Sequence, residues 1–144
     1  MRIRRLLSVL LAGGCCAAAA AAGPPRPPVI HELFTLLPCP SSPSTRDTTI
    51  GIEGCREHMI VASDGKIDAL AKAIFVQLGD AASRRRLIAA EMAWFAYRQA
   101  FCASESDMFR GGSAAVDEFG GCAVSLNEQH VKDLTEFHKG LGPH

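Results

Sequence analysis

Residues 84–103 read RRRLIAAEMAWFAYRQAFCA, and a helix drawn through them carries Leu87, Ile88, Trp94, Phe95, Phe101 and Cys102 along one side. The single Trp and single Tyr of the chain, Trp94 and Tyr97, both fall here. Arg98 follows Trp94 by one turn. Its guanidinium can lie over the indole or reach back to Glu91, in a partly buried ion pair that orders the helix. Upstream, Gly79-Asp80 ends a preceding segment and Ser83 can cap this one. That preceding segment turns helical at Cys55, with Ile60, Ile67, Leu70, Ile74 and Leu78 as its apolar stripe. Gly65 interrupts it at a cost of about 1 kcal/mol, which places the firm start near Asp64. Downstream, Arg110-Gly111-Gly112-Ser113 breaks the pattern, and Ser113 can cap a short turn to Phe119. Gly120-Gly121 breaks it again before a last helix from about Cys122 to Lys139, with Val124, Val131, Leu134 and Phe137 inward. Almost no alternating pattern of the β type occurs. The fold class is all-α, a small antiparallel helical bundle.

The chain has 144 residues, enough for one domain and a modest core. Lys+Arg and Asp+Glu stand at 15 each, and the absence of a basic excess argues against a nucleic-acid partner. The first 22 residues differ in kind from the rest. Met1-Arg2-Ile3-Arg4-Arg5 is basic, Leu6 to Ala12 is a short apolar run, and small residues follow through Ala22. This is the pattern of a secretory signal, too short to span a membrane. Ala20-Ala21-Ala22 suits an ordinary signal peptidase. Leu11-Ala12-Gly13-Gly14-Cys15 suits instead a lipoprotein leader ending before Cys15, whose lipidation would anchor the protein to a membrane. Either way the expected location is exported: periplasm, cell envelope or extracellular space.

Removing residues 1–22 takes away three arginines and no acid, leaving 12 basic against 15 acidic side chains and a net charge of −3. Cys39, Cys55, Cys102 and Cys122 remain, and four cysteines in an exported domain read as two disulfides. Three connectivities exist. Cys39–Cys55 with Cys102–Cys122 is preferred, because each pair brackets a segment without a long periodic run. Closing such loops contributes roughly 3 kcal/mol each through chain entropy. Residues 23–38 form a Pro-rich linker followed by a short arm, Val29 to Leu37, either helical or extended on the core. Residues 38–45 are loop by composition, residues 39–139 the helical domain, and residues 140–144 a tail.

The residues offer little for catalysis. The thiols are consumed in disulfides, and Gly111-Gly112-Ser113 lacks the G-x-S-x-G elbow of a nucleophilic serine. His130 and His138 lie two turns apart, about 12 Å, too far to share a metal, and read as surface or rim residues. Neither C-x-x-C nor H-x-x-x-H spacing occurs. Arg84-Arg85-Arg86 reads as a solvated face. The expectation is a binding protein, not an enzyme, with no catalytic residue, metal or cofactor.

These residues resemble a known family. Cys55, Asp64 and Ile67-Asp68 are similar to the opening C…D..LN pattern of the small LprI-type lysozyme-inhibitor domain, and Trp94, Tyr97, Arg98 and Cys102 to its W-x-x-Y-R-x-x-x-C signature. Gly111, Gly112 and Ser113 follow, then Cys122, and Leu134 fits the closing element. The resemblance covers about residues 39–137. Asp68 stands where Asn is usual, Ala71 where Tyr is common, and His130 where Arg would precede Leu134. The family implies a bacterial envelope protein whose partner is lysozyme and whose role is to protect peptidoglycan. The alternative is an envelope binding or assembly module of the same fold. An acidic domain suits a basic lysozyme. The segment between Ser104 and Gly121 is the candidate inhibitory loop, with Asp107, Arg110, Ser113, Asp117 and Glu118 as candidate contacts.

Overall fold

A computed structural model describes residues 23–30, 32, 34 and 36–142. The leader and Cys15 lie outside these residues. Four helices follow in order: α1 Pro43–Arg46, α2 Thr49–Gln77, α3 Ala81–Ser106 and α4 Ser113–Gly140, with a 3-10 turn at Asp107–Phe109. No strand occurs among the described residues. The Cys39–Cys55 and Cys102–Cys122 disulfides are both present, the second with its Cα atoms 5.5 Å apart.

The long helices exceed their expected bounds. α2 begins at Thr49, because the Thr48 side chain accepts from Gly51 N–H, and runs through Gly65 unbroken. One exposed glycine costs about 1 kcal/mol, less than the burial of Ile60, Ile67 and Ile74 on one face returns. α1 occupies part of the stretch expected to be loop, started by Pro43 at its first turn. α3 is capped by Asp80 rather than Ser83: the Asp80 carboxylate accepts from Ser83 N–H at 2.8 Å. Hydrogen bonding from Ser83, side chain first and then backbone, holds that carboxylate below its ordinary pKa.

α4 corrects the sequence reading most. The short turn and the last helix are one element, and Gly120-Gly121 does not interrupt it. A Cβ on Gly120 would lie 2.7 Å from Arg56 Cβ, so this glycine is where α4 passes close to α2. Ser113 is the first helical residue and not the cap; that position belongs to Gly112.

α4 packs along both α2 and α3, which meet each other only sparingly. The groove between them takes the described residues of the arm, 28–30, 32, 34, 36 and 37, which are extended rather than helical. Pro28 and Ile30 are buried in it, so the Pro-rich stretch ends on the domain. The arm runs antiparallel to α2 and is held by its backbone. Ile30 N–H donates to Asp68 Oδ1 at 2.6 Å, Glu32 N–H to Asp64 Oδ2 at 3.0 Å, and Leu37 N–H to Glu57 Oε2 at 2.8 Å.

The apolar core has two halves. Ile60, Cys102, Cys122, Ala123 and Val124 form one; Ile67, Ile74, Phe75, Leu87 and Leu134 form the other. Phe101 and Phe137, expected inward, are exposed, since each lies off the stripe that faces the neighbouring helices.

Candidate functional site

Between the two halves of the core lies a polar layer, one residue or two from each long helix. α2 contributes Ser63 and Asp64, α3 contributes Arg98, and α4 contributes Asn127, all buried. Arg98 Nη1 donates to Asp64 Oδ1 at 2.6 Å and to Asn127 Oδ1 at 2.6 Å, while Arg98 Nη2 donates to Glu32 Oε1 at 2.9 Å. Asn127 Nδ2 donates to Ser63 Oγ at 2.7 Å and to Asp64 Oδ1 at 2.8 Å. Gln99 completes the arrangement through its side-chain amide on Glu32 Oε1. The guanidinium also sits over Phe95 and Trp94, at 4.8 Å and 5.5 Å from the ring centroids. The stacking expected of Arg98 on Trp94 is therefore present, but the expected pair with Glu91 is not.

Glu91 instead receives His130. The ring nitrogen Nε2 lies 2.9 Å from Glu91 Oε2, and the imidazole stacks on Trp94 with centroids 3.9 Å apart and planes 9° from parallel. His130 is thus an interior packing residue, not a rim histidine, and its side chain is 12% exposed. These two clusters join the three long helices at their middles, where buried hydrogen-bonded pairs specify one arrangement.

That rigid frame carries a tip at the α3–α4 junction. Beyond the Cys102–Cys122 bond, α3 continues to Ser106 and passes through the 3-10 turn into Arg110, Gly111 and Gly112. The expected inhibitory loop between Ser104 and Gly121 is therefore mostly helix, reduced to a three-residue turn. Arg110, Gly111 and Gly112 have φ of 50°, 90° and 82°, a left-handed run that glycine accepts without strain and arginine does not. Arg110 N–H donates to Asp107 O at 3.1 Å and fixes the bend. Asp107, Met108, Phe109, Arg110 and Ser113 are all exposed there.

Asp117 and Glu118 lie further down α4, away from that bend. Asp117 Oδ1 accepts from Arg56 Nε at 2.9 Å and fastens α4 to α2, and Glu118 is half-buried. Beside the tip a groove of about 310 Å³ has Phe34, Ile60, Val116 and Phe119 as its apolar walls, with Glu53 and Arg56 among its polar lining. Of the motif residues, Asp64, Arg98 and Leu134 are buried, Trp94 is half-buried, and Tyr97 is 52% exposed. Glu32 and Asn127 were missed by sequence reasoning. Asn127 had a signal: it occupies a core position on the stripe Val124, Val131, Leu134. Glu32 had none, because an extended arm has no helical period.

Among the described residues no group of His, Cys, Asp and Glu is placed to hold a metal, and no helix is long and apolar enough to cross a membrane. Charged and apolar side chains are displayed together at the bend. No curated protein and no solved structure matches the chain. Residues 39–134, from the first disulfide cysteine to the buried Leu134, match the family described as Lysozyme inhibitor LprI, a family of inhibitors rather than of enzymes, and the chain belongs to it.

Proposed function

We propose that this protein is exported to the bacterial envelope and there binds and inhibits lysozyme, with the α3–α4 tip entering the enzyme's cleft. The observation that carries the reading is the tip itself, in a chain of an inhibitor family. A bend of left-handed residues behind a disulfide is preorganised, so binding orders little and loses little entropy. Arg110 at its apex is exposed and suits one of the two carboxylates of a glycosidase cleft. Asp107 and Ser113 flank it. Asp117 and Glu118, further back, suit the basic rim.

The charge of −3 beyond residue 22 favours encounter with a basic enzyme, at a rate that falls as salt rises. Two disulfides and the signal pattern of residues 1–22 support an extracytoplasmic location, either free or anchored through Cys15. The test is lysis of a peptidoglycan suspension by lysozyme. Oxidised protein from residue 23 onward slows clearing stoichiometrically. No inhibition at micromolar excess sinks the reading and favours a different envelope partner, while clearing by the protein alone points to an enzyme.

A further inference from the structure

The outward face of α3 is bare of charge along most of its length. Between Arg86 and Asp107 the only ionisable groups on α3 other than Tyr97 are Glu91 and Arg98, which are buried, and Glu105, which is half-buried. What faces solvent is an alanine floor with large apolar side chains standing on it. Met92, 53% exposed, stands on one edge of the face, Tyr97 at 52% and Phe101 at 38% stand on the other, and Met108 in the 3-10 turn beyond is 73% exposed. Tyr97 and Phe101 stack on each other, centroids 5.5 Å apart, which holds the two rings as one projection. Isolated exposed hydrophobics need no explanation, but a contiguous uncharged face about 30 Å long on a 26-residue helix does.

We propose that this face pairs with α3 of a second copy of the chain, antiparallel, about a twofold axis near Ala96 and Tyr97. The partner is argued from complementarity of the face with itself. Rotation about that axis sets Ala93 opposite Ala100, and lays the Tyr97–Phe101 projection over the floor near Ala96 and Ala93 of the other copy. Large side chains meet small ones on both sides, as a self-complementary interface requires. The same rotation brings Arg86 of each copy to Asp107 of the other, both exposed. Positive charge thus closes on negative at the two ends of an apolar strip, which is the core-and-rim order of a protein interface. A parallel pairing would set Arg86 against Arg86.

One helix face falls short of the roughly 800 Å² per partner of a standard interface, so the dimer is weak, with a dissociation constant on the order of micromolar. The two α3–α4 tips then point away from each other at opposite ends; each gives Asp107 to the seam and keeps Arg110 and Ser113 outside it.

Sedimentation velocity of the exported, disulfide-bonded protein from about 1 to 500 µM tests this. A monomer–dimer equilibrium is expected. Ala93→Glu puts a charge into the seam of both copies and weakens it at least tenfold without lowering the melting temperature. Arg86→Asp weakens it, and adding Asp107→Arg restores it. Both changes suit the helix dipole, so the doubly reversed chain folds. A monomer throughout, an Ala93→Glu protein that dimerises as the parent does, or failure of the double reversal to rescue each overturns the proposal. Inhibition of lysozyme by a chain that stays monomeric overturns it while leaving the proposed function standing.

Discussion

Arg98 donates to Glu32 Oε1 at 2.9 Å across 66 residues of sequence, and Glu32 precedes the stretch that matches the family. The central cation of the helical module thus takes a counter-ion from outside it. Arg98 also serves Asp64 and Asn127, and all three are buried. Arg98→Met therefore leaves the buried Asp64 without its counter-ion and costs about 3–5 kcal/mol, read as a fall in the urea midpoint. Glu32→Gln keeps an acceptor and costs about 1 kcal/mol. Equal losses for the two would contradict the geometry.

Gly54 lies where the arm crosses α2. A Cβ there would collide with the carbonyl oxygens of Leu37 and Pro38. Gly54→Ala is expected to lift the arm and destabilise the fold by about 1–3 kcal/mol, despite the better helix propensity of alanine. Faster amide exchange at Ile30 and Leu37, with α4 still protected, is the signature to measure.

Trp94 reports on the second cluster, because it is the only tryptophan and His130 lies flat on it. His130→Ala removes the stacked ring and the hydrogen bond to Glu91, costing about 1–3 kcal/mol and shifting the indole emission to the red as water enters. Glu91→Gln keeps a partner for the imidazole and shifts the emission less.

The Asp80 cap sets one acid-side sensitivity. Its carboxylate is held below the ordinary 3.8 by Ser83, so its contribution to stability is full above that value and is lost as pH falls through the lowered one. Asp80→Asn keeps a capping oxygen and cannot titrate. Melting temperatures of the two proteins measured between about pH 5 and pH 2 should converge at the acid end. A constant difference would show that the cap does not titrate with folding.

Arg110→Ala should weaken lysozyme inhibition at least tenfold and change stability by less than about 0.5 kcal/mol, since Arg110 is exposed. Asp117→Ala is different. It breaks the ion pair with Arg56, so it also loosens α4 from α2, and a fall in melting temperature without a fall in affinity would mark Asp117 as structural.

Helix type and the apolar stripes were legible in the sequence because they depend on neighbours three and four residues apart. Ile60, Ile67 and Ile74 are buried, as their spacing required. The disulfide pairing was legible from where the aperiodic segments lie. Helix limits were not, because a glycine such as Gly120 looks the same whether it ends a helix or admits Arg56. The motif residues Asp64 and Arg98 were recognisable, but their bond to each other joins positions 34 apart and exists only once α2 and α3 are side by side. Gly111-Gly112 marks a turn in the sequence, and its extent needed the left-handed backbone at Arg110.

The seating of Glu32 against Arg98 also sets a dependence between early and late parts of the chain. A ribosome delivers residue 32 long before residue 98, so the arm has no berth when it first emerges. Its partners Asp64 and Arg98 come together only once α2 and α3 lie side by side. The earliest part of the domain to be made depends for its place on residues made much later.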